Sequence, residues 1–444
     1  MEIRELQKII QEGGVVSAGG AGFPTYAKLN ENARTILLNC AECEPLLTLH
    51  QQLLERHAYD IMKTFFMMAG TVGAKEAVIG IKKSYTRTVQ ALSTYIGEFP
   101  GMRIHLLDEV YPMGDEVVLI YEATGRVVRP GGLPIEQGVA VFNVETVYNI
   151  YRAVSAGQPV TDKYVSVVAE VSRPVTVRVP LGCTLEETVA AAGSVTVKDP
   201  VYFVGGPMMG RIGSPFEPVT KTTNAILVLP SDHPIVVKKN RTPSIDLKRA
   251  ASICCQCNTC TDLCPRHNLG HPIDPARFMR AASNQDFRDL NPCLNAAFCS
   301  SCGVCEMFSC PQGLAPRSLL ADMKAGLRKA GVRPPADVQP KAVGPERAFR
   351  KVPEDRLMAR LGLTKYDRPA PIDEAILPVD QVRIPLSQHI GAPAEPVVKV
   401  GETVTKGQLI AQPGKGLSVG IHASIDGTVT EVTDRFVTIM GRNT

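Results

Sequence analysis

Ten of the thirteen cysteines fall between Cys254 and Cys310, in two runs of one design. Cys254, Cys257 and Cys260 stand three apart, and Cys264 follows immediately before Pro265. Cys299, Cys302 and Cys305 repeat the spacing, with Cys310 before Pro311. The opening stretch "MEIRELQKIIQEGG" starts an amphipathic helix and lacks a signal-peptide core, so a cytosolic chain with reduced thiols is expected. Crowded thiols there imply metal. Zinc sites usually pair two C-x2-C units across a longer gap. A triple followed by Cys-Pro, twice over, instead fits iron–sulfur cubes: one loop wraps three corners, and the fourth thiolate comes from further along. Cys255 and Cys293 fit neither run; each is a plain buried thiol or a substitute ligand.

The spacing C-x2-C-x2-C-x3-C-P is that of bacterial ferredoxins, whose fourth cysteine ligates the other cluster. On that resemblance Cys254, Cys257, Cys260 and Cys310 hold one [4Fe-4S] cluster, and Cys299, Cys302, Cys305 and Cys264 the other. Such a pair is a wire, and something must feed and drain it. A second stretch could be the feed. "SAGGAGFPTYAKLN" bares its backbone at Gly19, Gly20 and Gly22 and then offers Lys28. The glycines match neither the dinucleotide fingerprint nor the P-loop. They would let main chain press flat against a ring or a phosphate. Asn39, Glu42 and Glu44 in "NCAECEP" follow the apolar run "TILL", at a strand's carboxyl end, where open α/β sheets bind ligands. A phosphate-bearing cofactor and a plain helix-capping loop both remain open on these residues alone.

The elements that must position these groups read as several domains, as 444 residues require. Residues 1–158 alternate buried strands ("TILLNCAE", "EAVIGI") with helices, one of them "LTLHQQLLERHAYDIMKTFFMMAG", ending at Gly70: an α/β pattern. Residues 159–240 turn β-rich, with a short helix whose Thr184 and Glu187 form a capping box. Residues 245–325 carry the cysteines. Residues 326–380 are basic and proline-rich, a wrapping linker with one short helix over "PEDRLMARLGL", or a plain tether. Residues 381–444 are short strands and turns. They resemble the barrel-sandwich hybrid of lipoyl and biotinyl carriers, with Lys415 near the carrier-lysine turn but no carrier tetrapeptide, so a structural module is expected. Net charge is +4 with no basic aromatic face, which gives no case for nucleic acid. No run approaches the ~18 apolar residues of a membrane helix, so an integral membrane protein is not expected.

"GGAGFPTYAKL", "NCAECEP", "YPMGDE" (111–116) and "FNVET" (142–146), in that order, resemble the flavin-binding subunit of respiratory complex I. The whole chain is similar to two families, the RnfC components of Rnf electron-transport complexes and the cobalamin reductases of propanediol-utilisation microcompartments. "RIPLSQHIGAPAEPVVKVGETVTKGQ" stands at the C-terminus, the arrangement of the reductases; the RnfC family has it at the N-terminus. The resemblance implies a multidomain α/β protein: a flavin domain, a β-grasp domain of the soluble-ligand-binding (SLBB) type, a two-cluster ferredoxin domain and a barrel-sandwich hybrid. It implies FMN held by Gly19, Gly20, Gly22, Lys28, Asn39, Glu42, Tyr111, Gly114, Asn143 and Thr146, and NADH met by Phe23, Glu44 and Glu116. The chain departs from the family at Ser17-Ala18, Ala41 and Asp115.

The activity implied is an NADH-oxidising flavin and iron–sulfur reductase. Electrons pass from NADH through FMN and the two clusters to the cobalt of cobalamin, with no acid–base dyad or nucleophile needed. His267, His271 and His389 are expected to be structural. The adenosyltransferase that consumes reduced cobalamin is an implied partner, as are microcompartment shell proteins. Two other classes compete: a peripheral subunit of a membrane ferredoxin:NAD complex, and a docking protein without activity.

Overall fold

The computed structural model describes residues 1–441. After helix α1 (Ile3–Glu12), the first unit is a parallel sheet of β1 (Thr35–Cys40), β2 (Glu76–Lys82), β3 (Met102–Leu107) and β5 (Val139–Asn143), in spatial order β3-β2-β1-β5; β4 (Val110–Tyr111) lies outside it. The runs expected as strands are β1 and β2. They are buried along nearly their whole length because both faces are covered. Ile36, Leu38 and Cys40 meet α1, α2 (Leu49–Val72), α3 (Thr86–Tyr95) and α5 (Val144–Ala156). Leu37 points the other way, to α4 (Glu116–Thr124). Helix α2 overruns its expected stop at Gly70: the left-handed cap is Gly73, at φ 70°. A glycine ends a helix where the backbone turns left-handed, and Gly70 does not.

The second unit is a mixed sheet of β6 (Asp162–Ala169), β7 (Val175–Pro180), β8 (Pro200–Val204), β9 (Arg211–Gly213) and β10 (Ala225–Pro230). Helix α6 (Leu185–Ala190) packs Leu185 and Val189 on one face against Val165, Val177 and Val228. The expected capping box starts it. The Thr184 hydroxyl accepts the Glu187 N–H at 3.1 Å, and the Glu187 carboxylate accepts the Thr184 N–H at 2.7 Å.

The segment read as a wrapping linker or a plain tether is folded onto both units. β11 (Val352–Pro353) pairs with β4, and β12 (Ile372–Ile376) adds an edge strand to β7, giving the order β12-β7-β6-β10-β8-β9. Between them the expected helix forms over Glu354–Leu361 and buries Leu357 and Leu361. Its Glu354 pairs with the wholly buried Lys82 ammonium, which also donates to the Glu42 carbonyl at 2.8 Å. Stripping the partner from a buried charge costs about 3–5 kcal/mol, so this strap is tied down. Proline content and charge conceal such a strand, because its partners lie far back in the sequence.

Three helices, Pro243–Ile253, Pro275–Asn284 and Pro316–Lys329, frame the cysteine loops around Phe278, Leu314 and Leu320. The C-terminal unit is two small antiparallel sheets. One joins β13 (Gln381–Pro385), β19 (Phe436–Gly441), β18 (Gly427–Val432) and β15 (Thr403–Val404); the other joins β14 (Glu395–Pro396), β16 (Leu409–Gln412) and β17 (Ile421–His422). Its core is Ile384, Val404, Ile410, Val437 and Ile439. Lys415 is exposed in the turn between β16 and β17, and the next residue's carbonyl accepts from the Tyr26 hydroxyl at 3.4 Å.

Candidate functional site

The carboxyl ends of β1 and β5 are in register, with Asn39 beside Asn143. Above them opens a cavity of about 350 Å3. Its floor is Asn39, Val141, Phe142 and Asn143, and one wall is Ser17, Gly19 and Gly20 from the glycine stretch. Gly20 and Gly22 are left-handed, at φ 65° and 68°. Gly22 does not reach the cavity. A Cβ there would stand 2.8 Å from Thr222 and 3.2 Å from the Gln388 carbonyl, so its bareness lets the second and C-terminal units close on the back of the loop. The Ile390 N–H donates to the Ala21 carbonyl from the same side.

Asn143 caps α5, its Oδ1 accepting the Glu145 N–H at 2.9 Å, while its amide meets His50 Nε2 at 3.1 Å. Burial drives the His50 imidazole down to about 4, so it is neutral at physiological pH. Thr146 lies behind the floor, and its hydroxyl accepts the Ala18 N–H at 2.9 Å. Lys28 Nζ donates to the Val141 carbonyl at 3.2 Å and faces Glu116 at 3.5 Å. That pair stands between the main cavity and an annex of about 140 Å3, lined by Phe23, Leu133, Ile135 and Ala140. Phe23 thus belongs to the annex.

Asn39 donates to the Gly114 carbonyl at 2.9 Å, fastening the opposite wall. Glu42 and Glu44 both line the cavity, but their carboxylates also work as anchors. Glu42 accepts the His50 N–H at 2.9 Å at the start of α2; Glu44 accepts the Met208 and Met209 N–H groups at 2.9 and 3.0 Å, from the second unit. Burial pushes each carboxyl up to about 7, opposed chiefly by those backbone N–H groups. Ala41, where the chain departs from the family, also lines the cavity, as do Cys43, Leu47, Leu49 and Asn224, which were not anticipated. Asn224 comes from the second unit, and nothing in the local sequence could signal it.

Tyr111 is placed elsewhere than the resemblance implied. It is 3 % exposed, does not line the cavity, and donates its hydroxyl to the Cys302 carbonyl at 2.6 Å. Three residues on, Gly114 does line the cavity. The segment 111–116 is therefore the partition between the cavity and the cysteine loops.

The eight paired cysteines ring two hollows. Cys254, Cys257, Cys260 and Cys310 line one; Cys264, Cys299, Cys302 and Cys305 line the other. The two loops fold alike. Gln256 and Asn258 are left-handed at φ 54° and 66°, as are the equivalent Ser301 and Gly303 at 60° and 84°. Such alternation makes a concave nest of N–H groups suited to anionic sulfur. The Ser301 N–H lies 3.3 Å from Cys299 Sγ, and the Leu314 N–H 3.4 Å from Cys310 Sγ. Burial and then the neighbours Cys310, Cys257 and Cys254 push the Cys260 thiol up to about 12. Burial and then Cys299, Cys302 and Cys264 raise Cys305. Four thiolates so gathered repel one another unless a cation sits among them. Among the described residues no three His, Cys, Asp or Glu side chains converge as the ligands of a single ion would. The donor set fits a cube with four separated corners better than one zinc. Cys293 packs in the apolar core of this unit and lines neither hollow, whereas Cys255 is exposed at the rim of the first. His267 and His271 are tied to backbone carbonyls of Ile273 and Val128, and His389 to that of Ile390.

Three family descriptions match the chain: the Nuo51 FMN-binding domain over residues 10–152, a 4Fe-4S dicluster domain over 253–315, and the RnfC barrel sandwich hybrid domain over 364–443. Cobalamin reductase PduS of Salmonella typhimurium is 42 % identical over 98 % of this chain and 96 % of its own. The protein of that name from Citrobacter freundii is 40 % identical over 99 % and 97 %. A component of the Na(+)-translocating ferredoxin:NAD(+) oxidoreductase complex of Acetobacterium woodii is 30 % identical over 60 % of this chain and 59 % of its own. A solved NAD+-reducing [NiFe]-hydrogenase chain superposes with a TM-score of 0.50 at 20 % identity, over 76 % of this chain and 64 % of that one, a likeness of fold. A match that runs end to end through the flavin, thiol and barrel-sandwich units in the same order places the chain in the cobalamin reductase PduS family.

Proposed function

We propose that this protein is an NADH-dependent cobalamin reductase, holding FMN in the 350 Å3 cavity and [4Fe-4S] clusters in the two thiol hollows. When bound, FMN takes electrons in pairs and releases them singly, and the clusters carry single electrons, which suits a one-electron change at cobalt. The observation that carries the reading is the shared partition: residues 111–116 touch the cavity through Gly114 and Glu116 and, through Tyr111, the backbone of the loop whose Cys302 lines the hollow of Cys264, Cys299, Cys302 and Cys305.

The chain's own residues divide the work. Gly19 and Gly20 give a bare wall for a flat ring, and Lys28 gives the only lysine charge on the cavity lining among the described residues. The N-termini of α4 and α5 bring their positive dipole ends to the same opening, which favours a phosphate, while the capping Asp115 and Asn143 hold the next N–H groups of each helix. Phe23 and Glu116 at the annex suit the nicotinamide nucleotide, next to the flavin rather than in its place. The second unit adds Asn224 to the cavity wall, and its loop at Met208 is fastened to the Glu44 carboxylate of that wall. The hollow of Cys264 adjoins this partition, so it is the first station. The hollow of Cys254 and the exposed Cys257 is the second, at the surface where a corrinoid can approach.

No helix of the described residues is long and apolar enough to cross a membrane. The reading as a subunit of a membrane complex is weaker, because those relatives match only about three-fifths of the chain. A cytoplasmic place, inside a microcompartment beside the adenosyltransferase and shell proteins, belongs to the same proposal. Anaerobic NADH added to the flavin- and cluster-loaded protein with cob(II)alamin tests it. The expected result is loss of the cob(II)alamin spectrum. Dye reduction without corrinoid reduction would refute the acceptor, and an inert protein would refute the activity.

A further inference from the structure

The two hollows differ in charge. Arg266 and Arg317 line the hollow of Cys264, Cys299, Cys302 and Cys305; among the described residues no charged side chain lines the hollow of Cys254, Cys257, Cys260 and Cys310. Arg266 is the better placed of the two arginines. Its side chain is 17 % exposed, its Nη2 donates to Asp115 Oδ2 at 2.9 Å, and its Nε is buried with no partner. Asp115 is itself fixed, since its Oδ1 accepts the Val117 and Val118 N–H groups at 3.0 and 3.1 Å and caps α4. The pair therefore runs from the helix start that borders the flavin cavity to the wall of the nearer thiol hollow. A guanidinium held on one side by a carboxylate, with a spare N–H on the other, is a donor awaiting an acceptor. The acceptors in that hollow are sulfurs.

Reduction adds a negative charge to a cluster, so a nearby fixed cation and an N–H to sulfur both raise its potential. Exposure to water works in the same direction on the outer cluster, whose Cys257 is exposed. The buried guanidinium outweighs that polarisation because its charge is permanent and Asp115 offsets it only in part, that carboxylate also accepting the Val117 and Val118 N–H groups. We propose that Arg266 tunes and positions the Cys264–Cys299–Cys302–Cys305 cluster, setting it above the other cluster in reduction potential, and that Asp115 fixes how much of the arginine's charge that cluster feels. Resting on the cluster assignment above, this makes the inner cluster the collecting point for electrons leaving the flavin and the outer one the weaker holder that hands them on.

An anaerobic EPR-monitored redox titration of the full chain, loaded with flavin and clusters, tests it in the wild type and in Arg266→Gln, Arg266→Lys and Asp115→Asn. Two separate midpoints are expected in the wild type. Arg266→Gln lowers the higher one alone, Arg266→Lys restores most of it, and Asp115→Asn, which keeps the helix cap and removes the opposing charge, raises it. Opposite signs from the two partners are not what a merely structural pair would give. Coincident wild-type midpoints, an unmoved or jointly moved pair in Arg266→Gln, or a fall in Asp115→Asn overturns the proposal. Should Arg266→Gln fail to hold a cluster, Asp115→Asn and Arg266→Lys decide it. A reduced wild type with no iron–sulfur signal overturns the cluster assignment itself, whereas two waves that ignore Arg266 overturn only this inference.

Discussion

Gly114 is the tightest point of the partition, and replacing it with alanine tests how the cavity and the relay are joined. A Cβ there would lie 2.4 Å from the Ala41 carbonyl oxygen and 3.0 Å from Cys43 Sγ, where ordinary contact begins at 3.4 Å. The first of these is backbone, so no side chain can swing aside. The segments 39–44 and 111–116 must part by 1.0 Å, the difference between 3.4 and 2.4 Å. That strains or breaks the Asn39-to-Gly114 hydrogen bond of 2.9 Å. Overpacking costs typically 1–3 kcal/mol and the bond about 1 kcal/mol, so a loss of about 2–4 kcal/mol in stability is expected. Both segments line the cavity proposed to hold FMN, and a misplacement of about 1 Å in a positioning wall costs on the order of 100-fold in rate. The assay is FMN affinity by fluorescence quenching, NADH-to-dye turnover at saturating FMN, and iron content. Gly114→Ala should weaken FMN binding and slow turnover by about that factor, with iron content near normal, because the thiol loops are framed by other helices. Unchanged FMN affinity and turnover would refute the cavity assignment. Lost iron with flavin chemistry intact would refute the claim that this partition belongs first to the cavity.

Tyr111→Phe removes only the bond to Cys302, so NADH-to-dye reduction from the flavin should persist while cluster reduction followed by stopped flow slows; equal loss of both would contradict the partition. Cys257→Ala and Cys305→Ala should each lose about half the iron, one cluster apiece, but only Cys305→Ala should prevent flavin electrons from entering the wire at all. Lys221 is 2 % exposed, with Nζ donating to the Gly14 and Gly420 carbonyls at 2.6 and 3.1 Å and no carboxylate partner among the described residues, and burial lowers its pKa from 10.5 to about 7. The unfolded chain therefore binds the extra proton between pH 7 and 10.5, and stability rises with pH across that window, by up to about 5 kcal/mol at 1.36 kcal/mol per pH unit. Denaturant titrations at about pH 7 and about pH 9.5 should show about 3 kcal/mol of that gain in the wild type and a smaller one in Lys221→Met; equal gains would mean the ammonium is not desolvated.

The cysteine runs carried their chemistry in plain sight, because a cluster loop is local: three ligands and their left-handed spacers lie within one short stretch, and the fold they impose is almost independent of what surrounds them. The same holds for β1, β2 and the Thr184 cap, where periodicity or a short motif suffices. The glycine stretch was legible as bare backbone but not as to purpose. Gly19 and Gly20 face the cavity, while Gly22 serves a contact with Thr222 and Gln388 that no local pattern announces. Tyr111 shows the limit most clearly. Its motif sits among flavin residues in sequence, yet its hydroxyl is spent on Cys302, 191 positions away. Asn224 in the cavity wall, Glu44 clasped by Met208 and Met209, Arg266 held by Asp115, and β12 completing a sheet begun at β6 are likewise settled only when remote segments meet. Spacing along the chain dictated which atoms could bind sulfur or phosphate. Tertiary packing alone decided which of those atoms face a cavity and which are consumed in holding its walls, because desolvation forces every buried polar group to find whatever partner the fold brings near.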